Sequence, residues 1–153
     1  MPFEIERKFL VKKDLVPLGK SSKRIVQVYL STDPDRTVRV RLADDQAWLT
    51  IKGSARGIVR HEFEYPVPAA DARQLINLAV SAPVEKVRRE IHANGKKWEV
   101  DFFEGANEGL VLAEIELSTE DEVFTLPDWV EEEVTGDKRY HNSQLSVHPY
   151  SKW

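Results

Sequence analysis

The chain has 153 residues, 41% hydrophobic and 31% charged, which suits one globular domain over residues 1–153 with a sizeable core and more charge than is usual. Its formal net charge of −4 gives no global reason to expect nucleic acid as a partner, so any anion site must be a local gathering of Lys and Arg. Cysteine is absent, which excludes disulfides, thiolate metal sites and thiol catalysis; with no membrane-length apolar run and no signal-like hydrophobic stretch, a soluble cytoplasmic protein that does not enter membranes is expected.

The first stretch, Phe3 to Val11, alternates Glu4, Glu6 and Lys8 against Phe3, Ile5 and Phe9, the period of a strand. Lys12 to Lys23, with Pro17 and Gly19, is a loop or a short helix. Arg24 to Leu30 is β-branched and aromatic and forms a second strand, followed by a turn cluster at Ser31 to Asp35. Thr37 to Leu42, Ala47 to Lys52 and Ile58 to Val67 continue as strands, joined at Asp44-Asp45 and at Gly53 to Gly57. Over Ala69 to Val80 the period changes: Ala72, Leu75, Ile76, Ala79 and Val80 recur at three and four, an amphipathic helix. Val84 to Ile91 and Lys96 to Glu104 flank Asn94-Gly95, a strong hairpin signal, and Leu110 to Leu117 is an eighth strand. Ser118 can cap a short helix over Thr119 to Phe124, and the tail carries a helical turn around Asp137 to Ser146.

Charge pairs at a spacing of two recur along these strands: Glu4 and Glu6, Arg39 and Arg41, Glu62 and Glu64, Lys86 and Arg88, Glu99 and Asp101, Glu114 and Glu116. Two placements fit. Either the charged faces meet solvent, or a closed barrel turns them inward around a wet channel while helices and loops cover its apolar outer face. In a channel, Lys8, Arg39, Arg41, Lys52, Lys86 and Arg88 form a set suited to phosphate oxygens. Glu4, Glu6, Glu62, Glu64, Asp101, Glu114 and Glu116 form a carboxylate set whose mutual repulsion favours divalent cations, and oxygen-only ligands favour Mg²⁺ or Mn²⁺ over Zn²⁺. Fixed cations plus carboxylate-held metals are what a polyphosphate needs. The four histidines show no zinc spacing, and His61 reads as structural or exposed. Trp48 has the inward parity, as a wall residue or beside a base. No Gly-rich phosphate loop is present.

From residue 2 to about 147 the chain resembles the CYTH domains, or triphosphate tunnel metalloenzymes, in their short bacterial form. The resemblance rests on Glu4-Ile5-Glu6-Arg7-Lys8, followed in order by Arg39-x-Arg41, Lys52, Glu62-x-Glu64, Lys86-x-Arg88, Glu99-x-Asp101 and Glu114-x-Glu116, and by Asp137-Lys138-Arg139-Tyr140 with Asn142. It implies an α+β, mainly β, architecture: a closed eight-stranded antiparallel β-barrel with covering helices. It implies a triphosphate-containing small molecule gripped by Lys8, Arg39, Arg41, Lys52, Lys86 and Arg88, with Lys138 and Arg139 over one end. It implies Mg²⁺ or Mn²⁺ held by Glu6 and Glu116 at one position, and by Glu4, Glu114 and a carboxylate of Glu62 or Glu64 at another, with Asp101 helping at either. Glu4 and Lys8 would then take part in catalysis, and Tyr29 matches a tyrosine position that could accept a proton. The reaction implied first is hydrolysis of inorganic tripolyphosphate; the alternatives are a class IV-type adenylate cyclase and a non-catalytic polyphosphate or nucleotide sensor. An exposed strand or the C-terminal segment offers a surface for a homodimer, and nothing in the sequence decides it.

Overall fold

The computed structural model describes residues 3–153. Nine strands form one antiparallel sheet: β1 (Phe3–Val11), β2 (Ser21–Ser31), β3 (Arg36–Ala43), β4 (Gln46–Arg56), β5 (Val59–Val67), β6 (Val84–Ala93), β7 (Lys96–Phe103), β8 (Val111–Glu116) and β9 (Val130–Glu133). The hydrogen-bonded order is β5-β4-β3-β2-β6-β7-β8-β1-β9, and β5 also pairs with β1. That last pairing, Phe3 with His61, Glu4 with Arg60 and Ile5 with Val59, closes the first eight strands into a barrel. The closing contact is short: among the described residues, Glu62 to Val67 of β5 pair only with β4. The Asn94-Gly95 hairpin forms as its residues demand, with φ of 52° and 75° at the two turn positions.

The apolar faces point away from the barrel axis and are covered over much of the barrel, while Phe3, Ile51, Phe63 and Tyr65 stay exposed. The helix α1 (Ala69–Leu75), continued by a 3-10 turn at Ile76–Leu78, lays Ala72, Leu75 and Ile76 on Val28, Val40 and Ala47. On the far side, Trp129 and Phe124 of the segment after β8 pack on Phe9, Trp98 and Val100, with Trp98 and Trp129 edge to face at 5.6 Å. One end of the barrel is plugged. Leu10, Val84, Phe103 and Leu112 share the inward parity of their strands, and Tyr140 and Leu145 pack on them. Leu145 belongs to α2 (Asn142–Val147) and is 1% exposed, so burying it contributes roughly 1.5–3 kcal/mol.

Two expectations are corrected. No helix forms over Thr119–Phe124: the chain makes only a turn at 120–121, because Phe124 is drawn into the aromatic cluster against Phe9 and Trp98 and the backbone extends to reach it. The tail adds a strand that the sequence reading lacks, β9, which pairs with Phe9 and Val11 on the stretch of β1 that β5 leaves free. No helix among the described residues is long and apolar enough to cross a membrane.

Candidate active site

The barrel encloses a cavity of about 550 Å³. Strand order sorts its lining by charge. The contiguous strands β4, β3, β2 and β6 contribute six cations, Lys52, Arg39, Arg41, Lys23, Lys86 and Arg88, and no carboxylate. The other half, β7, β8, β1 and β5, contributes seven carboxylates, Glu99, Glu114, Glu116, Glu4, Glu6, Glu62 and Glu64, with three cations among them, Lys8, Arg60 and Lys97.

The cationic half is held in place from behind. Asp101 of β7 is fully buried; its two oxygens take Arg88 Nε and Nη2 at 2.7 and 2.9 Å, and Lys86 Nζ lies 2.8 Å from one of them. Against the cost of full burial, Arg88 and Lys86 hold its carboxyl well below the usual range. Asp101 therefore sits behind the cations and is not part of the cavity lining; its oxygens are engaged by Arg88 and Lys86, which corrects the expectation that it helps at a metal. Arg39 Nη2 donates to Thr50 Oγ1 at 3.2 Å, Thr50 donates to Glu64 at 2.8 Å, and Arg39 Nε is buried without a partner among the described residues. Arg41 donates through Nε to Gln27 at 3.0 Å, and among the described residues no carboxylate forms an ion pair with it. Burial, then Arg39 and Arg88, bring its guanidinium down to about 9. Burial brings Lys86 down to about 7 despite Asp101. A wall of crowded, partly desolvated cations is an anion site.

The carboxylate half is strained by its own charge. Burial, then Glu114 and Glu4, push Glu6 well above the ordinary carboxylate range. Burial and a hydrogen bond shared with Glu4 push Glu62 up to about 7. Against burial, Lys52 brings Glu4 down to about 2, its ammonium 2.8 Å away and also 3.5 Å from Glu62. Against burial, Lys8 and Arg88 bring Glu114 down to about 2, with Lys8 Nζ at 3.9 Å. Glu6 faces Glu116 in the register, and Lys8 faces Glu114. These are hard oxygen donors that repel one another, which fits Mg²⁺ or Mn²⁺. No three His, Asp or Glu side chains among the described residues are gathered closely enough to hold a metal alone. The set therefore fits a cation taken by one or two carboxylates, with phosphate oxygens completing its shell.

The chain is similar to known proteins over nearly its whole length. The profile of the CYTH domain matches residues 2–148. The chain belongs to the CYTH domain family. An inorganic triphosphatase of Acetivibrio thermocellus is 45% identical over 151 residues, covering 98% of this chain and 97% of that one. One from Nitrosomonas europaea is 36% identical over 149 residues, covering 94% and 97%. A crystal structure of an inorganic triphosphatase superposes with a TM-score of 0.68 at 33% identity, covering 94% of each chain.

In this CYTH domain, Glu4, Glu6, Lys8, Tyr29, Arg39, Arg41, Lys52, Glu62, Glu64, Lys86, Arg88, Glu114 and Glu116 all line the one cavity, with Lys138. Arg139 does not. Its guanidinium lies over the Trp153 ring at 4.8 Å and pairs with Asp137 on the outside, which corrects the expectation that it covers the tunnel beside Lys138. The structure adds lining residues that the motifs did not single out. Arg60 and Lys97 follow the inward parity of strands already read from the sequence, so alternation could have found them, whereas Lys23 does so only because β2 starts at Ser21, earlier than the sequence suggested; Glu99, already part of a charge pair, lines the cavity with them. His141 and Ser143 arrive from the tail, where no periodic signal exists. Trp48 is a wall residue with the Lys23 ammonium 5.9 Å over its ring.

Proposed function

We propose that this CYTH protein hydrolyses inorganic tripolyphosphate with Mg²⁺ or Mn²⁺. The observation that carries the reading is the pairing of a cationic half, in which Arg41 has no ion-pair partner among the described residues, with a half in which seven carboxylates line the same cavity. The named activity of the two curated relatives supports the same substrate class.

Arg39, Arg41, Lys52, Lys86 and Arg88, with Lys8, bind the non-bridging oxygens and orient the chain of phosphates along the tunnel. Glu6 and Glu116 would hold one metal, and one or two carboxylates from among Glu4, Glu114, Glu62 and Glu64 would hold a second. When bound, the metals neutralise phosphate charge and lower the pKa of a water aimed at the terminal phosphorus. Water adds to that phosphorus, the bond to the bridging oxygen breaks, and orthophosphate and pyrophosphate leave. Lys8 faces the charge that develops on the leaving oxygen. Tyr29, whose Oη accepts a hydrogen bond from Gln27 at 3.4 Å, relays the proton that the water loses. Asp101 keeps Arg88 charged and aims both Arg88 and Lys86.

The test is phosphate and pyrophosphate release from tripolyphosphate, ATP and thiamine triphosphate at equal concentration with Mg²⁺ or Mn²⁺, with cyclic AMP read from the ATP sample. Orthophosphate mainly from tripolyphosphate is expected. Cyclic AMP with pyrophosphate would make the protein a cyclase, and tight binding without turnover would make it a sensor. Glu4→Gln is expected to lower kcat by about 100-fold or more while tripolyphosphate affinity largely remains; equal loss of both would remove Glu4 from metal activation.

A further inference from the structure

The tail reaches into the cationic half through one residue. Asn142 opens α2, is 9% exposed and lines the cavity beside the apolar plug. Its Oδ1 accepts from Lys86 Nζ at 2.9 Å and from Gln27 Nε2 at 3.0 Å. Gln27 is fully buried, and its Oε1 accepts from Arg41 Nε at 3.0 Å. The chain thus runs from Arg41 to Gln27 to Asn142 and ends on Lys86.

Both ends of that chain are groups that only donate. A guanidinium has no acceptor, so the oxygen of Gln27 must face Arg41; Lys86 Nζ, which also contacts Asp101, donates to Asn142 Oδ1, so that oxygen faces Lys86. Gln27 then turns its nitrogen to Asn142, whose oxygen already faces that way. The two amide orientations are forced and mutually consistent. The consequence falls on Asn142 Nδ2. It is turned away from Lys86 and Gln27, it donates to no protein group among the described residues, and it belongs to a residue that lines the tunnel. A neutral donor with two N–H groups is thereby fixed among cations that bind phosphate oxygens.

The anchoring of α2 makes the placement rigid. Leu145 is packed in the plug, Ser146 Oγ donates to the carbonyl of Ser143 at 2.6 Å, and Ser81 Oγ donates to Ser146 Oγ at 2.8 Å. Ala82 N also donates to the Ser146 carbonyl at 3.3 Å. A donor held this way loses little freedom when a ligand binds.

We propose that Asn142 is a substrate-contact residue whose amide nitrogen donates to a non-bridging oxygen of the bound polyphosphate, and that Gln27 is the positioning residue that orients both Asn142 and Arg41. The proposal rests on the triphosphatase reading above. It makes the C-terminal helix part of the substrate site as well as a plug, and it gives the tunnel a neutral contact that selects oxygen geometry where the surrounding cations select charge.

The test is steady-state hydrolysis of tripolyphosphate with Mg²⁺, with KM and kcat resolved and thermal melting as a check of folding. Asn142→Ala removes the donor and the support of Lys86 together, and is expected to raise KM roughly 10-fold or more. Asn142→Asp keeps an oxygen for Lys86 and Gln27 but turns the tunnel-facing donor into an acceptor, and KM is expected to rise at least as far. Gln27→Glu keeps the acceptor for Arg41 and removes the donor to Asn142 and to Tyr29; KM is expected to rise several-fold. If Asn142→Asp matches wild type while Asn142→Ala does not, Asn142 only props Lys86 and the contact is overturned. If both keep KM within twofold of wild type, the whole inference is overturned while the triphosphatase reading stands. Should the wild-type protein fail to turn over tripolyphosphate, that reading falls and this inference falls with it.

Discussion

The two halves of the tunnel differ in how their charge is managed. In the cationic half four of the six charges have a neutral or buried partner behind them: Asp101 for Arg88 and Lys86, Gln27 for Arg41, Thr50 for Arg39. In the carboxylate half the acids face one another, and burial with a neighbouring carboxylate raises Glu6 and Glu62. Each half also holds a member of the other sign in a supporting position, Asp101 behind the cations and Lys8 among the acids. The first half is organised by the protein's own groups; in the proposed function the second is completed by metal and phosphate. A phosphate chain can be oriented by a rigid wall, whereas Mg²⁺ keeps several non-protein oxygens in its shell and needs a wall that leaves room for them.

The largest expected effect comes from breaking the support of the cationic half. Asp101→Asn leaves Arg88 and Lys86 buried without their counter-charge, and is expected to cost about 3–5 kcal/mol in denaturant unfolding. A loss below about 1 kcal/mol would mean that the cations are stable without Asp101. Next is the contact itself. Arg41→Ala is expected to weaken tripolyphosphate binding by roughly 1.5–3 kcal/mol, read as KM or by calorimetry; unchanged affinity would remove Arg41 from the site.

A third, smaller effect separates the halves by their response to acid. Asp101 has a folded-state pKa below its unfolded value, so its stabilisation is complete above the ordinary carboxylate range and is lost as pH falls through and below about 4. Glu6 and Glu62 are raised, so their stabilisation is present below the ordinary range and is lost as pH rises toward about 7. In EDTA, melting temperature is therefore expected to fall by about 2–4 °C between pH 5 and 8, to recover on adding Mg²⁺ at pH 8, and to vary less in Glu62→Gln. A profile that is flat and indifferent to Mg²⁺ would mean that the acids are relieved in some other way. The smallest effect contrasts two neighbours. Lys138→Ala, inside the cavity, is expected to raise KM by up to about fivefold, whereas Arg139→Ala, stacked on Trp153 outside, is expected to leave KM unchanged.

Much of the site was legible because a strand fixes side-chain direction locally. Once Arg39 and Arg41, or Glu114 and Glu116, are known to sit two apart on a strand, they share a face wherever the strand goes. The same rule covers Lys23, Arg60 and Lys97, which lay outside the motifs but keep the parity. The tail was opaque for a different reason. β9 is a short, charged run whose strand state comes from pairing with β1, and Thr119 to Phe124 reads as a capped helix until Phe124 is claimed by the aromatic cluster. Gln27 and Asn142 lie 115 positions apart and meet only because α2 plugs the barrel end on which β2 and β6 pair.

By itself the sequence determined the pairs of charge, their common faces and the strands that carry them, since these follow from period and residue type. It left open which way those faces point and which strands are neighbours. Both were decided by closure through β5 and β1, which turns every charged face inward and gathers the cationic strands β4, β3, β2 and β6 on one side. Pairing over such separations depends on the covering of the apolar outer faces by α1, Phe124 and Trp129, a free energy that no single stretch of the chain contains.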